Sequence, residues 1–188
     1  MDKKEIRKRL LKERLDLSGK DIDLKSREIA KKVIENDIVA RNGKVSLYLP
    51  VKNEVETSDI INFLVETGLE IYLPKYFASS QEYKLARFKT WEDLETGPYG
   101  IRQPMDDETV NAGQISVAFL PGVAFDKKGT RLGYGKGVYD KLFAKSNATL
   151  AGLAYGFQVV DQLPRENHDL AMNLIVTDEK VYQFSQQE

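Results

Sequence analysis

The chain has 188 residues, of which 41% are apolar and 30% are charged, and its formal net charge at pH 7 is -1. This length suits one domain with a proper hydrophobic core, and the near-zero charge argues against a surface built for nucleic acid or anionic membranes. Since there is no cysteine and a single histidine, a disulfide framework, a thiol nucleophile and a histidine-rich metal site are excluded.

Two amphipathic helices are predicted at the start of the chain, over residues 2–17 and 21–35. The first has a narrow apolar stripe, formed by Ile6, Leu10, Leu11 and Leu15. Lys3, Arg7 and Arg14 lie near one another on a different face of that helix. We expect most of these cations to be solvated, with one or two of them available to an anionic ligand.

A strand, a helix and a second strand follow, at the spacing of a βαβ unit. The first strand, residues 45–49, is expected to end at Pro50, and the second, residues 69–73, at Pro74. Glu54 lies in the loop after the first strand, and ligands of open α/β sheets bind outside such strand ends. The residues alone favour a solvated loop carboxylate here, the alternative being an acceptor for the N–H groups of a heterocycle.

The middle of the chain carries weaker signals. Residues 82–89 are predicted to form an edge strand, residues 97–104 are rich in turn-forming residues, and residues 105–113 look like an acidic loop. Trp91 lies between the first two of these segments. It either covers the edge of the core or stacks on a flat ligand, and both interpretations stay open.

The second half predicts the centre of a sheet. Residues 115–120 are an uninterrupted apolar run, as expected of a central parallel strand covered on both faces. Further strands are predicted over residues 150–155 and 174–177, and a short helix over 138–144. The fold class predicted for the whole chain is α/β, a single domain over residues 1–188 with a mostly parallel twisted sheet flanked by helices on both faces.

A glycine-rich segment, residues 129–140, stands between a predicted strand and the short helix. It contains four glycines, Arg131 and Lys136, and ends at Asp140. A glycine loop before a helix offers N–H donors and the positive end of a helix dipole to a phosphate, although a flexible surface hairpin is an alternative. The P-loop pattern fails because Gly137 replaces its Ser/Thr, and the dinucleotide pattern fails on spacing. Magnesium would therefore need other ligands, for which Asp140 and Asp178 are the candidates.

This segment and several others together resemble the 5-formyltetrahydrofolate cyclo-ligase family. Its signature is similar to Pro121-Gly122-Val123-Ala124-Phe125-Asp126, Gly129 and the run from Arg131 to Asp140. The other matches, in chain order, are Lys3 with Arg7, Glu54-Val55-Glu56-Thr57, Trp91, residues 97–104, His168-Asp169 and Thr177-Asp178. Each match is weak alone, but their order along nearly the whole chain is specific.

The resemblance implies an ATP- and Mg²⁺-dependent ligase that converts 5-formyltetrahydrofolate into 5,10-methenyltetrahydrofolate, on a NagB/RpiA/CoA-transferase-like architecture. It implies that Lys136 and Tyr139 act at the reacting groups. The implied ATP-binding residues are Lys3, Lys4, Arg7, Arg131, Gly133, Tyr134, Gly135, Lys136, Gly137 and Tyr139. The implied folate-binding residues are Leu49, Glu54, Trp91, Tyr134, Gly135, Lys136, Gly137 and Val138. Magnesium would be held by Asp140 and Asp178.

One position departs from the family pattern, because many members have two tyrosines where this chain has Val138-Tyr139. Valine removes a stacking surface but neither charge nor a metal ligand, so we expect activity to persist. The alternatives are a sugar-phosphate isomerase, a nucleic-acid-binding module using the basic first helix, and a folate or nucleotide binder without turnover. The expected partners are small molecules, with no nucleic acid and no membrane, and the expected state is a cytoplasmic monomer.

Overall fold

The computed structural model describes residues 2–39, 43–166 and 169–184, and His168 of the predicted His-Asp pair lies outside these ranges. The α-helices of the described part are α1 (Lys3–Leu15), α2 (Gly19–Glu35), α3 (Ser58–Glu66) and α4 (Val138–Phe143). Its first strands are β1 (Lys44–Ser46), β2 (Glu70–Phe77), β3 (Glu82–Phe88), β4 (Leu94–Thr96), β5 (Arg102–Pro104) and β6 (Thr109–Val110). The others are β7 (Ile115–Pro121), β8 (Ala124–Asp126), β9 (Arg131–Leu132), β10 (Thr149–Ala154), β11 (Val159–Val160), β12 (Leu174–Thr177) and β13 (Val181–Gln183).

An eight-stranded sheet in the order β13-β12-β10-β7-β1-β2-β3-β6 organises the fold. The five central strands from β12 to β2 are mutually parallel, whereas β13, β3 and β6 are antiparallel to their neighbours. The α/β class and the βαβ unit are therefore confirmed, but the sheet is mixed rather than mostly parallel. The reason is local, because β3 and β13 each follow their neighbour through a short turn, and such turns join antiparallel strands. The finer likeness to the NagB/RpiA architecture stays a prediction.

Three predictions for the strands β1, β2 and β3 were wrong, the first being that β1 would continue to Pro50. Pro74 does not end β2, which continues to Phe77 paired with β3. Strand β1 ends at Ser46, opposite Tyr72, so the missing N–H of Pro74 costs no bond on that side. The segment predicted as an edge strand, β3, is covered in turn by β6, which forms inside the predicted acidic loop.

The sheet is covered on both faces, as predicted. Along β7, Val117 and Phe119 face the cluster shared with α2 and α3, whereas Ala118 and Leu120 face the cluster shared with α4. This alternation follows from the period of two in a strand, and burial on both faces accounts for the continuous apolar run of β7. The core thus fixes the carboxyl ends of the central strands, where the loops that carry polar residues begin.

Helix α1 packs away from these two clusters, against a small three-stranded sheet formed by β11, β8 and β9. Its Ile6 and Leu10 join Val123, Ala124 and Leu132 in a third apolar cluster. A capping box begins the helix, since the Asp2 side chain accepts from the N–H of Glu5 while the Glu5 side chain accepts from the N–H of Asp2. Among the described residues, no helix is long and apolar enough to cross a bilayer.

A cavity between the glycine loop and the first strand loop

A cavity of about 680 Å³ opens at the carboxyl ends of the central strands. Its walls come from α1, from the loop after β1, from the turn before β5 and from the segment between β9 and α4. Most of the residues predicted to form the site line it. They are Lys3, Arg7, Leu49, Glu54, Arg131, Gly133, Tyr134, Gly135, Lys136, Gly137, Val138, Tyr139 and Asp140.

The glycine loop begins at a tight turn between β8 and β9. The buried carboxylate of Asp126 accepts from the N–H groups of Lys128 and Thr130, at 2.9 and 2.8 Å, and so fixes this turn. After β9 the chain has positive φ at Gly135 (97°) and Gly137 (64°), a conformation that L side chains rarely adopt. Gly137 is also the N-cap of α4. The loop therefore enters the cavity just before a helix, as predicted, although α4 has only six residues.

Arg7 and Lys3 reach the cavity from α1. The Nε of Arg7 donates to the carbonyl of Gly133 at 2.8 Å, which ties the first helix to the glycine loop. The ammonium of Lys3 lies 2.9 Å from a Glu166 carboxylate oxygen and 2.8 Å from one of Asp169. Burial lowers the pKa of Lys3, but the two carboxylates outweigh it and leave this pKa raised. Lys3 thus stands at the cavity in its charged form.

Glu54 is buried, with 3% of its surface exposed, so the expectation of a solvated loop carboxylate was wrong. Its loop is fixed at both ends: the Thr57 hydroxyl donates to the carbonyl of Tyr48, and the Tyr155 hydroxyl donates to the carbonyl of Glu54 itself. The Oε2 of Glu54 accepts from the N–H of Val51 at 3.1 Å. Its buried Oε1 accepts no hydrogen bond from any residue within the described ranges. Burial raises the pKa of this carboxyl. The charge of Arg14 opposes the rise most strongly, and the N–H of Val51 and the hydroxyl of Tyr134 oppose it less.

Arg14 is the main residue that the sequence interpretation missed. It was expected on a solvated face, yet only 1% of its surface is exposed, whereas Leu15 from the predicted apolar stripe is 50% exposed. The physical reason is helical spacing, because Ile6, Leu10 and Arg14 are four apart and stack on one face. That face points into the protein, so the spacing itself was the available signal.

A buried Arg131 and a partly buried Asp140 form an ion pair beside the glycine loop. The Nη2 of Arg131 donates to both carboxylate oxygens of Asp140 at 2.9 Å, and its Nη1 donates to the carbonyl of Pro121 at 3.2 Å. Arg131 also lies over the ring of Tyr139, 5.6 Å from its centroid. Burial raises the pKa of Tyr139 far above its ordinary value, and the charge of Glu54 adds to the rise, so this phenol stays neutral.

Lys136 lines the cavity from the centre of the loop, and its ammonium lies 3.3 Å from the ring centroid of Tyr99. Tyr99 itself has φ 62° and exposes 77% of its surface. The turn around Tyr99 was predicted, but the contact with Lys136 was not, since 37 positions separate the two residues. This aromatic ring, rather than a carboxylate, faces the ammonium of the loop.

Three predicted site residues lie elsewhere. Lys4 is exposed on α1 and does not line the cavity. Trp91 lines an adjoining hollow of about 310 Å³, donates to Asn62 at 2.8 Å and packs edge-to-face on Phe88. Asp178 contacts Lys25 and accepts from the N–H of Gly156 at 2.7 Å, outside the cavity lining. The two predicted magnesium ligands are thus not both at the cavity. No group of three acidic or histidine residues suited to a metal occurs in the part of the chain that the structure describes.

Comparison with known proteins gives one consistent result. Residues 1–178 match the family model described as the 5-formyltetrahydrofolate cyclo-ligase family. The chain is 30% identical over 184 residues to 5-formyltetrahydrofolate cyclo-ligase of Mus musculus, with 90% of each chain covered. Among solved structures, 5,10-methenyltetrahydrofolate synthetase of Aquifex aeolicus is 33% identical with a TM-score of 0.88, covering 100% of this chain and 95% of that chain. The synthetase of Mycoplasma pneumoniae is 27% identical with a TM-score of 0.76, covering 95% of this chain and 99% of that one.

Proposed function

The chain belongs to the 5-formyltetrahydrofolate cyclo-ligase family, and we propose from its cavity how it carries out the reaction of that family. It is an ATP-dependent ligase that converts 5-formyltetrahydrofolate into 5,10-methenyltetrahydrofolate, with release of ADP and phosphate. The observation that supports this most directly is that a buried carboxylate, Glu54, and a cationic glycine loop open onto one cavity.

The chemistry accounts for the types of residue at the site. The formyl oxygen attacks the γ-phosphorus of ATP, and the bond to ADP breaks. The neighbouring folate nitrogen then attacks the activated carbon and loses its proton, and phosphate leaves with the former formyl oxygen. Phosphoryl transfer depends on positioning and on neutralising negative charge, so it suits a cavity with cations and N–H donors but no thiol.

For the folate side, we assign Glu54 as the acceptor for N–H donors of the folate ring. Its buried Oε1 accepts no hydrogen bond within the described ranges, so an incoming N–H group would satisfy it. Leu49, Val138 and the ring of Tyr99 supply apolar and stacking surface around the same cavity. Tyr99 thereby takes the stacking role that the sequence suggested for Trp91, which lines the adjoining hollow.

For the nucleotide side, we assign the phosphates to Lys3, Arg7 and the backbone of the glycine loop. Gly133, Gly135 and Gly137 bring the chain close to the cavity without side chains, and α4 begins there. Lys136, exposed at the centre of the loop, would neutralise the phosphoryl group as it moves. Arg131 is held by Asp140 and by a backbone carbonyl, so its role is to fix the loop and to add positive potential.

Magnesium fits this site as a companion of ATP rather than as a resident ion. Mg²⁺ usually takes one or two carboxylates, substrate phosphates and several waters. Asp140 faces the cavity and is the one predicted carboxylate that would serve, provided that it shares its oxygens with Arg131. Asp178 does not fit, because it lies outside the cavity lining and is paired with Lys25.

The alternatives from the sequence have no support in the family match, which names neither a sugar-phosphate isomerase nor a nucleic-acid-binding protein. The location and the oligomeric state remain proposals, namely a cytoplasmic monomer acting on small molecules. Sedimentation of the purified protein at several concentrations checks the second point, and a concentration-dependent mass would contradict it.

The decisive experiment mixes the folded protein with 5-formyltetrahydrofolate and Mg-ATP and follows the absorbance of the methenyl product together with ADP. We expect both to appear together and only when both substrates are present. ATP hydrolysis without formylfolate, or binding of both substrates without product, would contradict the assignment and would favour the alternative of a binder that has lost turnover.

A further inference from the structure

Arg14 occupies an unusual position for a charged residue of the first helix. Its guanidinium donates to the carbonyl of Lys52 at 3.0 Å, to the carbonyl of Gly122 at 2.9 Å and to the hydroxyl of Tyr134. These three acceptors belong to the loop of Glu54, to the segment after β7 and to the glycine loop. One buried cation therefore connects α1 to two other walls of the cavity and to the segment after β7.

The fourth neighbour of this guanidinium is Glu54. The Nη2 of Arg14 lies 3.8 Å from the Oε1 of Glu54, which is too long for a hydrogen bond but close for two opposite charges. Both groups are buried, so the attraction is little screened. The arrangement supplies a positive charge to the carboxylate without a hydrogen bond from Arg14 to Oε1, and Glu54 lines the cavity.

We propose that Arg14 is a positioning residue for Glu54, which it holds in place as an anion while leaving Oε1 available to an N–H donor of the folate ring. The inference rests on the proposed function, since it concerns the same folate subsite. It adds a residue that has no contact of its own with substrate and acts through the carboxylate. A guanidinium suits this task because it stays ionised at any pH that a protein tolerates.

The groups around Glu54 determine how its ionisation responds to pH. The charged neighbours are Arg14 from α1 and Lys52 from its own loop, and the titratable ones are the phenols Tyr134, Tyr48 and Tyr139. Burial raises the pKa of each phenol, so all three stay neutral near pH 7. Burial also raises the pKa of Glu54, and Arg14 opposes it most strongly. Without Arg14, Glu54 would take up a proton at a higher pH, and folate binding would fall earlier as the pH is lowered.

The first test compares Arg14→Gln with Arg9→Gln, an exposed arginine of the same helix. Folate affinity and the KM values for folate and ATP are measured from neutral to mildly acidic pH. A hydrogen bond to an ionised group corresponds to roughly ten- to a hundredfold in affinity, so we expect Arg14→Gln to lose about that much folate affinity, increasingly as the pH falls. Arg9→Gln should match the wild type.

A double-substitution cycle separates positioning from a general structural role. In the Glu54→Gln background, Arg14→Gln should cause little further loss of folate affinity, because the group through which it acts is gone. Independent losses that simply add would overturn the inference. Tyr134→Phe removes a hydroxyl that contacts Arg14 and also helps to lower the pKa of Glu54, so we expect a shift of the pH dependence in the same direction as that of Arg14→Gln but smaller. A shift as large as that of Arg14→Gln would contradict the inference.

If Arg14→Gln does not fold, as judged by circular dichroism, Arg14→Lys keeps the test open. Lysine retains the positive charge but lacks the several N–H donors of the guanidinium. We therefore expect this variant to bind folate more weakly, while the pH at which folate binding is half lost stays that of the wild type. A midpoint at higher pH would overturn the inference. Absence of methenyl product from the wild-type protein would contradict the proposed function. Full turnover by Arg14→Gln, with the folate affinity and pH dependence of the wild type, would contradict this inference alone.

Discussion

The contact between Lys136 and Tyr99 is the one cation–π pair that joins the glycine loop to the turn before β5 among the described residues. Such a contact at an exposed site contributes about 0.5–1 kcal/mol. A phosphate oxygen offers a charged partner and a stronger interaction, so the ammonium would leave the ring when ATP binds. Tyr99 therefore orients Lys136 over the cavity without competing with its substrate.

The first residue-scale prediction concerns Lys136→Ala. We expect turnover to fall by roughly 10²–10³-fold, the cost of removing one group that stabilises charge in a transition state, while folate affinity changes little. Steady-state kinetics and a separate folate-binding measurement check this. Lys141→Ala, an exposed lysine of α4, is the matched control and should match the wild type. An equal loss of turnover and folate binding would contradict the assigned role.

At the residue scale, the sequence predicted which types of side chain form the site, but it did not predict that Arg14 and Glu54 are buried. Arginine is almost never fully buried unless it is paired, so its residue type argued for exposure of Arg14 although its spacing from Ile6 and Leu10 argued for burial. Its partners Lys52 and Tyr134 lie 38 and 120 positions away, and no local spacing reveals them. The burial of Glu54 has the same origin, since it depends on α1 packing over a loop that follows β1.

At the scale of elements, the glycine loop has a backbone conformation that glycine adopts without strain and other residues do not. Gly135 has φ 97°, and a Cβ there would meet Arg7 at an ordinary 3.7 Å, so the obstacle to a side chain is backbone strain rather than space. Gly113 offers a matched control, because nothing lies within 4 Å of its Cβ position and it is exposed.

We therefore expect Gly135→Ala to destabilise the fold by about 1 kcal/mol or more and to lower activity, whereas Gly113→Ala should leave both nearly unchanged. Chemical denaturation gives the free energy of unfolding, and the methenyl assay gives activity. If both variants lose stability equally, the strain at Gly135 is not the cause. If Gly135→Ala keeps full activity, the loop does not need its backbone close to the phosphates.

The elements that the sequence located best are the buried ones, such as β7, whose composition reflects cover on both faces. The misassigned elements lie at the side of the sheet formed by β2, β3 and β6. There the pairing depends on the extent of the neighbouring strands. Pro74 is tolerated in β2 because β1 ends at Ser46. Strand β6 forms by pairing with Leu85 and Ala86 on the outer side of β3. Such dependence on partners is absent from local composition.

At the scale of the whole molecule, two ligands in one cavity should stabilise the native state. A ligand at a hundred times its Kd adds about 2.7 kcal/mol to the free energy of unfolding, which appears as a higher Tm. We expect this from 5-formyltetrahydrofolate alone and from a non-hydrolysable ATP analogue alone. Glu54→Gln should lose the first response and keep the second, and Arg7→Ala the reverse. A variant that loses both responses equally would contradict the division into folate and nucleotide sides.

The hydrogen bond between Arg7 and the carbonyl of Gly133 joins residues 126 positions apart in the chain. During synthesis, α1 is made first, but the β8–β9 hairpin on which it packs and the loop that it contacts are made much later. Ile6 and Leu10 of this helix therefore cannot be covered by Val123, Ala124 and Leu132 until the later segment has been made. Contacts so distant along the chain slow folding, and the cavity is complete only after they form. The wall that α1 and the glycine loop form together therefore depends on a long-range contact, and neither segment can build it alone.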